Sequence, residues 1–234
     1  MEGIKNILSK LGLFHIVRKL LKKYYYYIKS YFFQKYASIT FKKVMEVLQE
    51  ENIETFLVFG TLLGAVREKG FIKHDMDMDF GVWDNCDFNK IEKTLERKNI
   101  LLKSQILMSS NKSIEYQNYI DKKTGISIDF YKFTKCEKEI LYYDFLREDT
   151  LSYDESIKKN GGLKVYCYHL PMYELENLIF NSEKCKIFKE YNHFLKKFYG
   201  ENYIIPQKYF DGHEISKKQE QIKNTVGILE KFRI

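Results

Sequence analysis

The chain has little proline: Pro171 and Pro206 are its only two among 234 residues, which excludes Pro-rich linkers. It lacks paired cysteines. Cys86, Cys136, Cys167 and Cys185 are widely spaced, no two form a CxxC pair, and no nearby histidine completes a zinc pattern. Four reduced thiols in a cytoplasmic protein are the expectation. No uninterrupted apolar run approaches the roughly 18–20 residues that span a bilayer. Lys5, Lys10, Arg18 and Lys19 break up the N-terminus, so it does not read as a secretory signal. The body of the chain also lacks excess charge. Residues 1–36 hold eight basic side chains against one acid, Glu2, which already accounts for the net +7. The balanced remainder supplies no basic stripe, so nucleic acid is not an expected partner. What is present is 44% hydrophobic and 30% charged, which fits one domain with extensions.

Periodicity predicts a basic amphipathic helical leader over residues 1–36. Ile4, Ile7, Leu8, Leu11, Phe14, Val17, Leu21, Tyr24, Tyr25, Ile28 and Phe32 recur at three- and four-residue steps, with Gly12 as a weak point. Such a helix either packs on its own domain or lies in a membrane interface. A second helix is expected at 40–51, capped by Thr40. Residues 56–59 read as a buried strand, 62–68 as a short helix capped by Thr61, and 76–82 as a strand. A helix at 88–98 capped by Asp87 follows. Strands are expected at 100–108, 113–120, 126–133 and 139–145, with a hairpin turn at 122–125. The stretches 173–180, 184–199 and 216–232 have helical spacing. The expectation is an α+β fold: a core over 37–150 with a mixed sheet flanked by helices, and a helical C-terminal part over 151–234.

The chemistry concentrates in Asp75-Met76-Asp77-Met78-Asp79-Phe80. On a strand the side-chain period is two. The three aspartates then share one face, while Met76, Met78 and Phe80 point into the core. Carboxylates this close repel one another unless a cation lies between them, and hard oxygen ligands suit Mg²⁺ or Mn²⁺. An EF-hand fails, because loop positions six and twelve would be Phe80 and Cys86. Asp129 alternates with Ile128 and Phe130; it joins the cluster if its strand pairs beside 76–80. Fifteen residues before Asp75, Gly60-Thr61 between a strand and a helix offers backbone N–H groups to a phosphate. Thr61 hydroxyl would be a further donor there, and Arg67 a candidate to neutralise charge.

Gly60-Thr61-Leu62-Leu63-Gly64-Ala65-Val66-Arg67, Gly70-Phe71-Ile72 and Asp75-Met76-Asp77-Met78-Asp79 together resemble the LicD/fukutin family. The match continues at Ile128-Asp129-Phe130, Pro171-Met172-Tyr173-Glu174-Leu175 and Phe198-Tyr199-Gly200-Glu201-Asn202-Tyr203. The resemblance implies a nucleotidyltransferase-type fold. It further implies Asp77 and Asp79 as a metal-binding pair with Asp75 as the preceding acid. Asp129 would complete the metal site or draw a proton from the acceptor. Lys73-His74 stands where the family often has Pro-Trp; His74 reads as a spacer.

The implied reaction is metal-dependent transfer of phosphocholine or an alditol phosphate from a CDP-linked donor to a sugar hydroxyl of a cell-surface glycan, releasing CMP. The alternative is a nucleotidyltransferase that moves NMP to a small acceptor and releases pyrophosphate. A binding protein with a decayed site is opposed by the intact Asp77/Asp79 pair. The leader fits an enzyme at the inner face of the cytoplasmic membrane, with peripheral contact through residues 1–36 and a lipid-linked glycan as acceptor.

Overall fold

In a computed structural model of the chain, the described residues are 14–206 and 212–234; residues 1–13 of the expected leader lie outside them. One helix, α1 (Phe14–Glu50), replaces the two expected. The foreseen boundary at 36/37 falls inside it. Thr40 caps nothing. It is buried mid-helix, and its hydroxyl donates to Asp121 Oδ2 at 3.2 Å, so a polar side chain that resembles a cap is satisfied by a tertiary partner. From Phe33 onward the helix packs on the core through Phe33, Ala37, Phe41, Val44 and Leu48. Phe41 stacks on Phe80 with ring centroids 5.8 Å apart.

Strand β1 (Phe56–Leu57) is shorter than expected, and α2 (Phe59–Leu63) begins at once and continues as a π-helical turn over Gly64–Glu68. Next come β2 (Asp77–Trp83) and α3 (Phe88–Glu96), whose first turn is capped by Asp87 accepting from Asn89 N–H. Strands β3 (Ile100–Met108), β4 (Ile114–Asp121), β5 (Ser127–Lys135) and β6 (Glu139–Leu146) lie where alternation places them. The hairpin at residues 122–125 joins β4 to β5, with Gly125 at φ 73°.

The C-terminal part corrects the expectation. Helix α4 (Tyr153–Asn160) precedes β7 (Leu163–Pro171), and residues 173–180 hold the strand β8 (Leu175–Phe180). Strand β9 (Glu183–Phe188) takes the first part of 184–199, leaving α5 (Tyr191–Tyr199) as the helix there. After α6 (Gly212–Ser216), residues 216–232 are mostly β10 (Glu220–Lys231). Two local features produced the helical spacing. Asn181 and Ser182 take φ 51° and 67°, a two-residue hairpin turn of the primed kind between strands whose Leu175, Leu178 and Ile179 mimic one helix face. In β10 the register slips between Ile222 and Val226, so its apolar residues fall four apart instead of two.

Strand β5 organises the sheet. One edge pairs in parallel with β2. The other pairs first with β4, then with β6, as in Tyr131↔Tyr116 and Phe133↔Tyr142. Because β4 continues through β3, β10 and β7 back to β6, these six strands close into a barrel, a closure the expected mixed sheet did not include. An arm of β2, β1, β9 and β8 extends from the other edge of β5. Barrel and arm meet at the β2–β5 ladder.

Candidate active site

The β2–β5 register sets Asp77 opposite Ser127 and Asp79 opposite Asp129. Parallel strands in register turn equivalent residues to the same face, so Asp129 joins the cluster. On the opposite face Met78, Phe80, Ile128 and Phe130 are fully buried, and Phe80 stacks on Phe130 at 5.3 Å. This apolar layer holds the acids in place. Asp79 and Asp129 are themselves only 6% and 4% exposed.

Gly60 and Thr61 serve the cluster from α2. Thr61 Oγ1 accepts from Asp79 N–H at 2.8 Å, and Thr61 N–H donates to Asp79 Oδ2 at 3.3 Å. The residue is fully buried and Val58, not Thr61, stands at the N-cap. These two contacts make Thr61 a positioner of Asp79. Gly60 is needed for a different reason than an open turn. A Cβ there would lie 3.1 Å from both Asp75 Oδ2 and Asp79 Oδ2, so glycine lets the two carboxylates crowd the backbone without being pushed back. Phe59, just before, is held at φ 42° and packs edge-on against Tyr131 at 4.8 Å.

Electrostatics mark the cluster as short of positive charge. Burial, followed by the charge of Asp77, pushes Asp75 up to about 7. Burial, then Asp77, also pushes Asp129 up to about 7. Burial raises Asp77, against the opposing charge of Lys29 on α1. Asp79 is raised well above the usual carboxylate range by burial, then by Asp77, Asp75 and Asp129. Asp75 Oδ2 is shut from solvent with no hydrogen-bond partner.

These residues fit a hard divalent cation: the donors are all carboxylate oxygens, one of them orphaned, and their repulsion is uncompensated. Among the described residues, no three acidic, His or Cys side chains already stand as ligands around one point.

Two cavities have the acids in their walls, and a third adjoins the first of them. One of about 310 Å³ contains Gly60, Asp75, Asp77, Asp79, Tyr131 and Tyr199 in its wall. A second, about 700 Å³, shares Gly60, Asp75 and Tyr199 and adds Arg67, Lys73 and His74. Arg67 Nε donates to Glu68 Oε1 at 2.8 Å and Nη1 to Tyr203 carbonyl at 3.1 Å. The third, about 480 Å³, shares Tyr131, Tyr142 and Asp144 with the first.

Sequence reasoning missed Tyr116, Asn118, Tyr131 and Lys29. Tyr116 hydroxyl donates to Asp129 Oδ1 at 2.9 Å, and Asn118 Nδ2 donates to the same oxygen. Tyr131 hydroxyl donates to Asp79 Oδ1 at 3.3 Å. Tyr131 was findable, since it lies two residues after Asp129 on one strand face. Tyr116 and Asn118 needed the β4–β5 register, and Lys29 needed the path of α1.

A comparison with curated proteins gave no match. A family model described as LicD/FKTN/FKRP, nucleotidyltransferase domain, matches residues 52–211. That span runs from the end of α1 to just before α6 and contains Gly60, Thr61, Arg67, the three alternating aspartates and Asp129. On that match, over more than half its length, the chain belongs to the LicD/FKTN/FKRP family.

Proposed function

We propose that the protein transfers a substituted phosphate, phosphocholine or an alditol phosphate, from a CDP-linked donor to a sugar hydroxyl of a cell-surface glycan, with release of CMP. Family membership supports transfer chemistry of this type. The observation that carries the reading is Asp129 beside Asp79, with Asp77 on the same ladder and Asp75 in the turn just before it, its carboxylate beside that of Asp79 at Gly60. Asp77 and Asp79 would hold Mg²⁺ or Mn²⁺. Bound there, the ion would supply charge neutralisation for the donor's diphosphate.

The remaining steps fall to side chains of this chain. Arg67, paired with Glu68, and Lys73 put positive charge along the cavity next to Asp75, where His74 offers a further polar ring, a fitting environment for the nucleotide's phosphates. Thr61 and Tyr131 fix the orientation of Asp79. Asp129, pushed up to about 7, is a stronger base than an ordinary aspartate near neutral pH. It accepts the acceptor hydroxyl's proton as that oxygen bonds to the distal phosphorus and the bond to the CMP oxygen breaks. Tyr116 and Asn118 hold Asp129 in position.

The same reading puts the enzyme at a membrane surface, the inner face of the cytoplasmic membrane. Tyr24, Tyr25, Tyr27 and Tyr31 stand exposed on α1 before it reaches the core, and the whole net charge of +7 lies in residues 1–36. No described helix is long and apolar enough to cross a bilayer.

The test is product analysis with Mg²⁺ and CDP-choline, CDP-glycerol or CDP-ribitol, after a thermal-shift screen of the three donors. CMP release with phosphate-substituted glycan supports the reading. Pyrophosphate release from a nucleoside triphosphate supports the nucleotidyltransferase alternative. Full transferase activity in Asp77→Asn or Asp79→Asn overturns the mechanism.

A further inference from the structure

We infer that the tyrosine-lined chamber on the barrel side of the carboxylates is the acceptor subsite, and that it takes an uncharged sugar ring. The inference deepens the proposed function and rests on it for the word acceptor. The chamber is about 480 Å³, within the roughly 300–1,000 Å³ of small-ligand sites. Tyr116, Tyr131, Tyr142, Tyr143 and Tyr153 line it, with Asp144 among them.

Two of these rings connect the chamber to the acids. Tyr116 hydroxyl ends on Asp129 and Tyr131 hydroxyl on Asp79. A ligand resting on the rings therefore lies beside the base and opposite the flank that holds Arg67, Lys73 and His74. The two flanks differ in chemistry. The cationic one suits phosphates. The other offers aromatic faces for C–H surfaces, with hydroxyl tips and Asp144 for ligand hydroxyls, the pairing an apolar-faced polyol ring needs. Of its two lysines, Lys231 Nζ is 2.7 Å from Asp154, and Lys103 is the other cation of the wall. Asp144 is held in place by Ser216 hydroxyl at 2.6 Å, which leaves a carboxylate in the wall that repels a phosphate.

The experiment is saturation-transfer NMR on the full chain with methyl β-D-galactopyranoside, methyl α-D-glucopyranoside and N-acetylglucosamine, each with and without CMP and Mg²⁺. At least one sugar should receive saturation at its ring C–H protons, and CMP with Mg²⁺ should not displace it. Tyr153→Ala, at a residue 42% exposed and so safe for folding, should weaken sugar binding at least about fivefold. The same variant should bind CMP with Mg²⁺ as the unaltered chain does. Asp77→Asn should show the reverse pattern. The inference is overturned by no transfer to any of the three sugars, by displacement with CMP, by displacement with equimolar choline, or by an unchanged Tyr153→Ala protein. Loss of CMP binding in the unaltered chain sinks the proposed reaction instead, and the sugar signal still decides what the chamber holds.

Discussion

Asp79 and Asp129 stand side by side on adjacent parallel strands, in the register that also pairs Phe80 with Phe130. One face of the ladder is a stacked aromatic layer and the other a pair of nearly buried carboxylates. Neutralising either acid removes repulsion while keeping shape. Asp129→Asn keeps one oxygen for both Tyr116 and Asn118 and should melt at or above the temperature of the unaltered protein. Asp79→Asn loses one of the two acceptors that Thr61 N–H and Tyr131 hydroxyl use, which offsets part of that gain. Both should lose about 100-fold or more in transfer rate, equivalent to about 2.7 kcal/mol of transition-state stabilisation. Parallel melting curves and CMP-release rates check both halves; a variant that loses activity by unfolding contradicts the first.

Gly60→Ala tests crowding at the backbone. The new Cβ would press on Asp75 Oδ2 and Asp79 Oδ2 at 3.1 Å. Alanine favours the helix by up to about 1 kcal/mol, so the two effects on stability oppose each other. We expect a melting shift within a few degrees and a clear loss of Mg²⁺ affinity by calorimetry. Gly81→Ala is the contrast. Its Cβ would fall 2.2 Å from the Phe56 ring, far from solvent, and overpacking of about 1–3 kcal/mol should lower the melting temperature without a specific effect on the ion.

The raised carboxyls also predict how protons and metal compete. Asp75 and Asp129 titrate at 3.8 when unperturbed and near 7 in the fold. A group raised on folding binds more protons in the native state between those values. Its contribution is fully present below about 4 and is lost as pH rises through 7. The metal-free protein should thus become less stable from pH 4 to pH 7 on account of this cluster. Mg²⁺ should raise the melting temperature more at pH 8 than at pH 5. Equal Mg²⁺ shifts at both values would count against ion binding by these acids.

The site was readable where chemistry and local period coincide. Asp77 and Asp79 announce a common strand face by alternation alone, and Asp129 does so between Ile128 and Phe130, whereas Asp75 joins them from the turn before β2 and not from the strand on which alternation places it. Their meeting needed only the guess that two such strands pair. What was not readable depends on distant partners. Thr40 and Thr61 look like caps, yet Asp121 and Asp79 claim them. The barrel closes through β10, whose register slip hides its strand period. Residues 173–180 fail for a related reason: β8 is a sheet-edge strand paired only with β9, so its outer face is free of the alternation that burial imposes.

The exposed stretch of α1 yields the last test. Among its described side chains, α1 first reaches the core at Phe33, which is fully buried, whereas Tyr24 and Tyr27 are 64% and 69% exposed. The helix is not free to drift from the site, because Ser30 hydroxyl donates to Lys73 carbonyl and Gln34 Nε2 to Ile72 carbonyl, both at 2.9 Å. Those contacts lie two and three residues before Asp75, so a surface that holds the tyrosines also sets the distance from that surface to the carboxylates. Aromatic rings beside lysines favour an anionic interface, with about 1 kcal/mol from each basic residue near the surface. The chain should float with phosphatidylserine vesicles at low salt and be released as ionic strength rises. Replacing Tyr24, Tyr25, Tyr27 and Tyr31 together by serine should abolish flotation while leaving CMP release from soluble substrates unchanged. Equal flotation of that variant, or none by the unaltered chain at low salt, would remove the membrane surface from the proposal and leave the carboxylate site as it stands.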